Sequence, residues 1–304
     1  MTLVSVAEEQ EGGRTRVQEM RLILRLIRRD PLTVTGVFLV TIFILLAILA
    51  PVFAPYPDQG LGLPVPERIL LPPSSVNLFG TDYLGRDILS RIIYGAQISL
   101  SFAFTVAILS SVIGMVLGAV AGYYGGMVDD VIMRVTEVFL SFPPLLLAIA
   151  LLATIGPGLT NAVVALSLTW WPWYTRLARA QTVSLRESHF VEAARAIGVR
   201  SRTIVRRHII PNILTPIVVQ ATLDMASAIL VEAGFGFIGL GAQAPSPSWG
   251  LMVSTGRYYI LTNWWFPTFP GLAIFALALG FNFLGDGFRE ILDPRLRRVV
   301  RLRA

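Results

Sequence analysis

The stretch that decides the fold is PLTVTGVFLVTIFILLAILAPVFAPYP, residues 31–57, in which no side chain is charged. At about 1.5 Å per residue, a helix from Val34 to Phe53 is roughly 30 Å long, which is enough to cross the hydrocarbon core of a bilayer. A charge-free stretch of this length is typical of a transmembrane helix. The chain is therefore expected to lie in a membrane.

Further charge-free stretches follow the first. Residues 92–127 carry no charge, and neither do residues 138–175, which are too many for a single span. The glycine and proline residues of Ile155-Gly156-Pro157-Gly158 predict a tight hairpin within the second stretch. Residues 54–95 and 233–265 are rich in proline or glycine and are expected to connect spans. We predict an all-α integral membrane protein with six transmembrane helices, at about 34–53, 97–122, 131–154, 159–177, 212–232 and 266–287.

The composition narrows the classes of function. Of the 304 residues, 54% are hydrophobic and 14% are charged, whereas a typical soluble domain has about 25% charged residues. The absence of cysteine excludes disulfides, thiol catalysis and Cys-ligated metal sites. All 25 basic residues are arginine, so this sequence has no nucleotide-binding loop of the G-x-x-x-x-G-K-[ST] kind. In so apolar a chain, the net charge of +6 is expected to favour anionic lipid and not nucleic acid.

The distribution of arginine predicts the orientation in the membrane. With six spans, 21 of the 25 arginines fall on the side of the two termini. Because cytoplasmic segments carry the excess of basic residues, both termini are expected in the cytoplasm. Residues 17–29 place apolar side chains and arginines on different helical faces, which predicts an amphipathic helix on the membrane surface, with an ordinary soluble amphipathic helix as the alternative. The predicted organisation is a cytoplasmic segment (1–30), a transmembrane domain (31–290) and a cytoplasmic tail (291–304).

A predicted cytoplasmic loop, residues 179–211, holds the most informative local pattern. Ser188 is expected to cap a helix, and Glu192 stands in the first turn of that helix, where the helix dipole favours an acid. Gly198 fits the left-handed position just past the helix end. A helix of about nine residues, roughly 14 Å long, is therefore expected between two spans.

One face of this short helix is apolar. The two alanines on that face permit close approach by another surface. Two interpretations fit equally: the helix docks in a partner protein, or it packs on its own bundle. The residues of the face are Phe190, Ala193, Ala194 and Ile197.

Glycines at every fourth position of the second predicted span form a stripe of small residues. Such stripes allow two membrane helices to approach closely. We expect a packing role for this stripe, and simple tolerance of glycine in lipid is the alternative. The stripe consists of Gly114, Gly118 and Gly122.

Polar side chains inside the predicted spans are candidates for a transport path. A charged residue at the bilayer centre costs about 2.5–3.5 kcal/mol on insertion scales. Asp224 lies in the middle of the fifth span, Glu232 near its outer end and Asn282 late in the sixth. Asp224 is the strongest candidate, and a purely structural buried pairing is an equal alternative for it.

Two other features are not expected to be binding sites. His189 and His208 lie in the loop without a ligand pair at useful spacing, so no metal site is expected. Asp82 and Asp87 lack the alternating acids of a calcium-binding loop. Asp87 is expected to cap a helix instead.

The loop also resembles a known motif. Glu192-Ala193-Ala194, Gly198 six residues after Glu192, and Pro211 nineteen after it resemble the EAA loop of bacterial ABC importer permeases. His208 and Ile210 depart from that pattern, which has isoleucine and leucine at these positions. Over roughly 21–298 the chain is also similar to the C-type permeases of dipeptide and oligopeptide importers, through Arg28-Arg29-Asp30-Pro31-Leu32, Gly80-Thr81-Asp82…Gly85-Arg86-Asp87, Gly239-Leu240-Gly241, Pro247-Ser248-Trp249-Gly250 and Gly285-Asp286-Gly287…Asp293-Pro294-Arg295.

This resemblance implies a fold and a function. The fold would be that of a type I ABC importer permease, in the bacterial or archaeal cell (inner) membrane. The chain would translocate di- or oligopeptides by alternating access, and a coupling helix within 179–211 would dock on an ATPase subunit. The residues implied in that coupling are Ser188, Phe190, Glu192, Ala193, Ala194, Ile197 and Gly198.

The resemblance also implies partners. These are a homologous second permease, two ATP-binding subunits and an extracellular substrate-binding protein. ATP and magnesium would bind to the ATPase subunits, so the chain itself would hold no cofactor and would not be an enzyme. The same architecture importing nickel or another small solute is the alternative. A stand-alone secondary transporter would need coupling-ion sites at mid-membrane, and only Asp224 lies that deep.

Overall fold

The computed structural model describes residues 30–292, and these residues are almost entirely helical. The predicted all-α class is confirmed: within the described residues the only β-pairing is an isolated bridge between Thr81 and Asp87. The predicted amphipathic helix over 17–29 and the residues after 292 lie outside this range. The longer helices are α1 (Pro31–Ile48), α2 (Ile88–Tyr124), α3 (Gly126–Leu140), α4 (Pro144–Ile155), α5 (Leu159–Arg186), α6 (His189–Ala196), α7 (Ser201–Phe237), α8 (Trp249–Gly256) and α9 (Trp265–Leu292).

Shorter pieces connect these helices. The connection between α1 and α2 contains the helical turns Ala50–Phe53 and Pro57–Leu61 and a 3₁₀ turn at Pro66–Arg68. A further 3₁₀ turn, Arg257–Tyr259, follows α8. The segment 233–265 therefore contains no helix long enough to be a separate span.

Four of the described helices are long and apolar enough to cross a bilayer: α1, α2, α7 and α9. The pair α3 and α4 supplies a fifth crossing if its two helices count as one span. Helix α5 has 28 residues, which is long enough, but it is not among the four. The count of six spans and the cytoplasmic position of the termini therefore stay predictions.

The predicted span over 131–154 is not one helix. Helix α3 ends at Leu140 and α4 begins at Pro144, and the two axes are bent by 84°. Pro143 and Pro144 have no N–H to donate, and the residue before a proline avoids the helical conformation. The prediction placed a break only at 155–158, and the structure adds a second break at the proline pair, inside the predicted span.

Helix α2 begins about nine residues before the predicted start at 97. Asp87 caps it, as expected: its carboxylate accepts hydrogen bonds from Ser90 N at 2.8 Å and from the Ser90 hydroxyl at 2.7 Å. Its 37 residues extend for about 55 Å, well beyond a hydrocarbon core of roughly 30 Å. The first two turns are buried against the proline-rich connection and α8 rather than exposed to lipid.

Helix α1 begins at a similar cap. Asp30 accepts hydrogen bonds from the Thr33 hydroxyl and from the backbone N–H groups of Thr33 and Leu32. The bond from the Thr33 hydroxyl, helped by the two backbone bonds, holds the pKa of Asp30 below its ordinary value. Pro31 at the first helical position needs no N–H partner there.

A buried charge cluster holds the proline-rich connection in place. Asp82 accepts from Arg86 Nε at 2.7 Å, and Arg91 Nε lies 3.6 Å from the same carboxylate. Arg91 also donates to the carbonyl of Ser246 at 3.1 Å. The connection before α2 and the loop before α8 are thereby joined through one set of charges, which the sequence pattern did not reveal.

The glycine stripe lies where α2 packs on α5, the most extensive helix pair of the fold. A Cβ atom on Gly114 would lie 2.5 Å from the carbonyl oxygen of Trp171, and one on Gly122 would lie 2.8 Å from that of Arg179. Only residues without a side chain allow this backbone approach. Gly114, Gly118 and Gly122 therefore set the distance between the two helices.

Buried apolar side chains form two main clusters. The larger one fills the bundle between α1, α2, α4, α5, α7, α8 and α9. The second is separate from it and joins α6 to the ends of α2, α5 and α7. Helix α6 therefore packs on this second cluster and not on the larger one.

Helix α7 starts earlier than the predicted span at 212–232. It runs from Ser201 through a π-helical turn at Val205–Ile209 into Ile210–Phe237. Pro211 lacks an N–H and would clash with the carbonyl four residues earlier in a regular α-helix. The wider π turn directly before it removes that clash, so the helix continues through the proline.

Candidate functional site

The short helix α6 stands between α5 and α7. Ser188 occupies the N-cap position, but its hydroxyl donates to the carbonyl of Leu185 at 2.6 Å and makes no capping bond to α6. The expectation of a side-chain cap was therefore wrong, because the preceding carbonyl competes for the hydroxyl. Gly198 has a φ of +79°, the left-handed conformation expected from the sequence.

The inner face of α6 rests on the second apolar cluster. Val191 is fully buried there, and Ala194 is almost fully buried. Because this cluster contains side chains of α2, α5 and α7, any displacement of α6 presses on all three. The other members are Ala119, Tyr123, Tyr174, Ala178, Ile204, Val205, Ile209, Ile213 and Ile217.

The outer face of α6 is apolar and uncovered. Ile197 is 81% exposed and Phe190 44% exposed, and Ala193 is exposed between them. Ala194 does not belong to this face: the structure turns it inward beside Val191, which corrects the predicted set of four. We call Phe190, Ala193 and Ile197 the outer face of α6.

Polar groups line a third side of α6. The Arg195 guanidinium lies 5.0 Å from the ring centroid of Tyr123 at the end of α2. Glu192 is exposed, and its carboxylate lies 3.8 Å from Nδ1 of His189. A cavity of about 510 Å³ opens here, lined by Tyr123, Tyr124, Arg186, Glu187, Glu192, Arg195 and Ser201.

A bidentate ion pair ties α5 to α3 near this end of the bundle. Arg179 Nε donates to Asp129 Oδ1 at 2.5 Å, and its Nη2 donates to Oδ2 at 2.6 Å. Paired N–H groups on a planar guanidinium fix orientation as well as distance. The charge of Asp129, two residues before the predicted start of span three, is thereby matched.

A larger cavity of about 660 Å³ lies between α5 and α7. Asp224 lines it, and one of its oxygens accepts a hydrogen bond from the Gln220 amide at 2.9 Å. Sequence reasoning predicted Asp224 for the transport path but missed the α5 side of the cavity. Its remaining lining residues are Trp170, Trp173, Arg176, Leu177 and Ser227.

The other two predicted path residues do not reach this cavity. Glu232 is 1% exposed, and its carboxylate accepts hydrogen bonds from Ser99 and Ser248, both at 3.0 Å. It joins α7 to α2 and to the start of α8. Asn282 is exposed elsewhere on α9, where its amide donates to the carbonyl of Ala278 at 3.2 Å.

Comparison with protein families bears directly on this arrangement. Residues 114–298, which include α6 and both cavities, match the family described as binding-protein-dependent transport system inner membrane component. Residues 19–73 match the N-terminal transmembrane domain of oligopeptide transport permease C. The chain belongs to this permease family. It is a multi-pass protein of the inner membrane.

Similar proteins extend the permease's relationship over nearly its whole length. It is 43% identical over 289 residues to the dipeptide transport system permease protein DppC of Alkalihalophilus pseudofirmus, covering 94% of this chain and 93% of that protein. It is 43% identical over 270 residues to the probable D,D-dipeptide transport system permease protein DdpC of Escherichia coli, covering 89% and 90%.

A solved structure shares the permease's fold. A chain of the MetNI methionine ABC transporter in an inward-facing conformation matches with a TM-score of 0.53 and 21% identity. The match covers 68% of this permease and 98% of that chain. The fold is that of a type I ABC importer permease, as the sequence predicted.

Proposed function

We propose that this permease forms half of the translocation pore of an ATP-driven importer of di- or oligopeptides. The other half would be a homologous second permease. Two ATP-binding subunits would drive the cycle, and an extracellular binding protein would deliver the peptide. The names of the relatives support the cargo class, since both are dipeptide transport permeases.

The observation that carries the coupling part of this proposal is the uncovered outer face of α6. Exposed apolar patches rimmed by polar groups mark protein interaction sites. Here Phe190, Ala193 and Ile197 lie beside the charged residues Glu192 and Arg195. Such a face fits a groove on an ATP-binding subunit, in the way an amphipathic helix fits a groove.

ATP and magnesium would bind outside this chain. The sequence has no lysine, so it lacks the lysine that reaches the phosphates in the common nucleotide loop. The chain would act mechanically and not as an enzyme. Closure of the ATP-binding subunits would move α6, and the cluster beneath Val191 and Ala194 would pass that motion to α2, α5 and α7.

This arrangement supports alternating access as the proposed mode of transport. The ion pair of Arg179 with Asp129 and the close contact of α2 with α5 make these helices a unit that moves together. A push on α6 would tilt that unit against α7 and α9. The cavity between α5 and α7 would then open to one side of the membrane at a time.

Substitution at Gly198 tests the proposed coupling. A valine there would have to adopt a φ near +79°, which costs on the order of 1–3 kcal/mol, so the end of α6 should shift. In liposomes that contain the complete importer, we expect wild-type uptake of alanyl-alanine to require ATP. Gly198→Val should lower the peptide imported per ATP hydrolysed at least about tenfold, while ATP hydrolysis continues.

The matched control is Gly156→Val. Gly156 also has a positive φ, +93°, and neither glycine has an atom within 4 Å of the added Cβ. With its ψ of 164° this conformation is open almost only to glycine, so the control carries at least as much strain away from α6 and should keep the wild-type ratio. Full coupling in Gly198→Val would contradict the role of α6, and absence of ATP-dependent peptide uptake by the wild type would contradict the function itself.

A further inference from the structure

The cavity between α5 and α7 contains two opposite charges that do not pair with each other. Asp224 projects into it from α7 and Arg176 from α5. Neither side chain has an ion-pair partner within 4.0 Å among the described residues. An acid and a base that share one cavity without pairing are arranged to meet a ligand that carries both charges.

The surroundings of Asp224 leave it able to bind. A carboxylate has two oxygens with about four acceptor positions. Among the described residues the Gln220 amide donates at 2.9 Å and the buried Tyr174 hydroxyl lies beside the carboxylate, which leaves acceptor positions for a ligand. Ionisable residues within membrane helices are costly and mark substrate paths when they face a cavity. Asp224 meets that condition, whereas Glu232 has two hydroxyl donors and no access to the cavity.

The remaining walls suit an organic ammonium group. Trp170 and Trp173 line the cavity on the α5 side. The face of an indole attracts a cation, with a gain of about 0.5–2 kcal/mol. Arg176 offers planar paired N–H groups, the geometry that matches a carboxylate. The volume of about 660 Å³ lies within the roughly 300–1,000 Å³ of small-molecule sites.

We propose that this cavity is a binding site for the free termini of a short peptide. Asp224 accepts hydrogen bonds from the α-ammonium group beside the tryptophan rings, and Arg176 binds the terminal carboxylate. The site reads the backbone ends, which all unmodified peptides share, and leaves side chains in the rest of the cavity. This inference rests on the proposed peptide importer and adds a recognition site within its pore.

A cycle of variants against blocked peptides tests the site. The complete importer, without its binding protein, is placed in lipid nanodiscs, and binding of alanyl-alanine, N-acetyl-alanyl-alanine and alanyl-alanine amide is measured at equilibrium. In the wild type, each blocked peptide should bind at least about tenfold more weakly than alanyl-alanine. Asp224→Asn should bind alanyl-alanine at least about tenfold more weakly than the wild type does. It should bind N-acetyl-alanyl-alanine no more weakly than alanyl-alanine. Arg176→Gln should also bind alanyl-alanine at least about tenfold more weakly than the wild type does. It should bind alanyl-alanine amide no more weakly than alanyl-alanine.

Matched controls remove the same charges elsewhere. Glu137 and Arg134 form an exposed pair at 3.8 Å on α3, so Glu137→Gln and Arg134→Gln should bind alanyl-alanine as the wild type does. Thermal unfolding and basal ATP hydrolysis show whether each variant is assembled. If a cavity variant does not assemble, the binding of the three peptides to the wild type alone tests whether the site recognises the free termini.

Defined results would overturn the inference. The first is equal binding of blocked and free peptides by the wild type, and the second is no binding of alanyl-alanine to the wild type. The third is that Asp224→Asn and Arg176→Gln both bind alanyl-alanine as tightly as the wild type does. In that third case the two charges face the second permease and not the peptide. Uptake with the binding protein is measured in parallel. If the wild type takes up peptide normally and any of these results occurs, the proposed binding site is contradicted, while the proposed importer function is not. If the wild type imports no peptide, the proposed function itself fails.

Discussion

Replacement of Ile197 by glutamate is expected to abolish the coupling of ATP hydrolysis to peptide uptake while the permease stays folded. Ile197 is 81% exposed, so the change should alter the stability of the permease itself by no more than about 0.5 kcal/mol. In a docked complex the same position loses the burial of an isoleucine, about 1.5–3 kcal/mol, and gains an unpaired charge. Together these effects should weaken attachment of the ATP-binding subunit by at least about 3 kcal/mol, or roughly 100-fold.

The measurement is co-purification of the ATP-binding subunits with the tagged permease, followed by uptake in liposomes. Met127→Glu is the matched control, since Met127 is equally exposed, lies in the first turn of α3, and does not belong to α6. We expect the control to retain its subunits. If Ile197→Glu retained both its subunits and its uptake, the outer face of α6 would not be the docking surface.

The second large effect is expected at the glycine stripe, where Gly118→Leu should prevent stable assembly of the bundle. A Cβ atom on Gly118 would lie 2.6 Å from Ala178 Cβ and 2.8 Å from Arg179 N, and closer still to the carbonyl oxygen of Thr175. These atoms belong to α5 backbone or to a side chain too short to move aside. The helices must therefore separate, at a cost of roughly 3 kcal/mol or more.

The thermal unfolding temperature and the membrane yield of the purified importer report this loss. Gly118→Ala should already lower the unfolding temperature, since its Cβ alone collides, and Gly118→Leu should leave little folded protein. Gly234→Leu on α7 is the control, because no atom lies within 4 Å of a Cβ there. An unfolding temperature of Gly118→Leu equal to that of the control would show that the α2–α5 contact is not tight.

Features determined by local chemistry were predictable from the sequence. The long charge-free stretches gave the membrane class, Asp87 gave the start of a helix, and Gly198 gave a left-handed turn after α6. Each depends on residues within a few positions along the chain. The family relationship was predictable for the same reason, since its motifs are local.

Features determined by tertiary contacts were not predictable from the sequence. Ala194 and Ala193 are adjacent in the same apolar pattern, and only the cluster beneath α6 decides that Ala194 turns inward. Ser188 was an acceptable cap by type, but the carbonyl of Leu185 takes its hydroxyl. The partners of Glu232, Ser99 and Ser248, lie on other elements, and no spacing in the sequence indicates them.

The cavity lined by Asp224 contains one residue that was predictable from the sequence and one that was not. Asp224 was identified because a carboxylate in a predicted span is costly wherever it lies. Arg176 was counted only as one of many basic residues near a loop, since a helix boundary was expected at about 177. In the structure α5 continues to Arg186, so Arg176 lies well inside the helix and not at its end, and its side chain lines the same cavity.

The central claim is that α6 attaches this permease to an ATP-hydrolysing subunit, and one cross-linking measurement tests it most directly. The chain has no cysteine, so Ile197→Cys provides a single thiol for a maleimide that carries a photoreactive benzophenone. Illumination of membranes that contain the whole importer should join position 197 to an ATP-binding subunit, identified by mass spectrometry. Leu261→Cys, at a position 97% exposed on the predicted extracellular side, should not join it. A cross-link from position 197 only to this permease or to lipid would contradict the account.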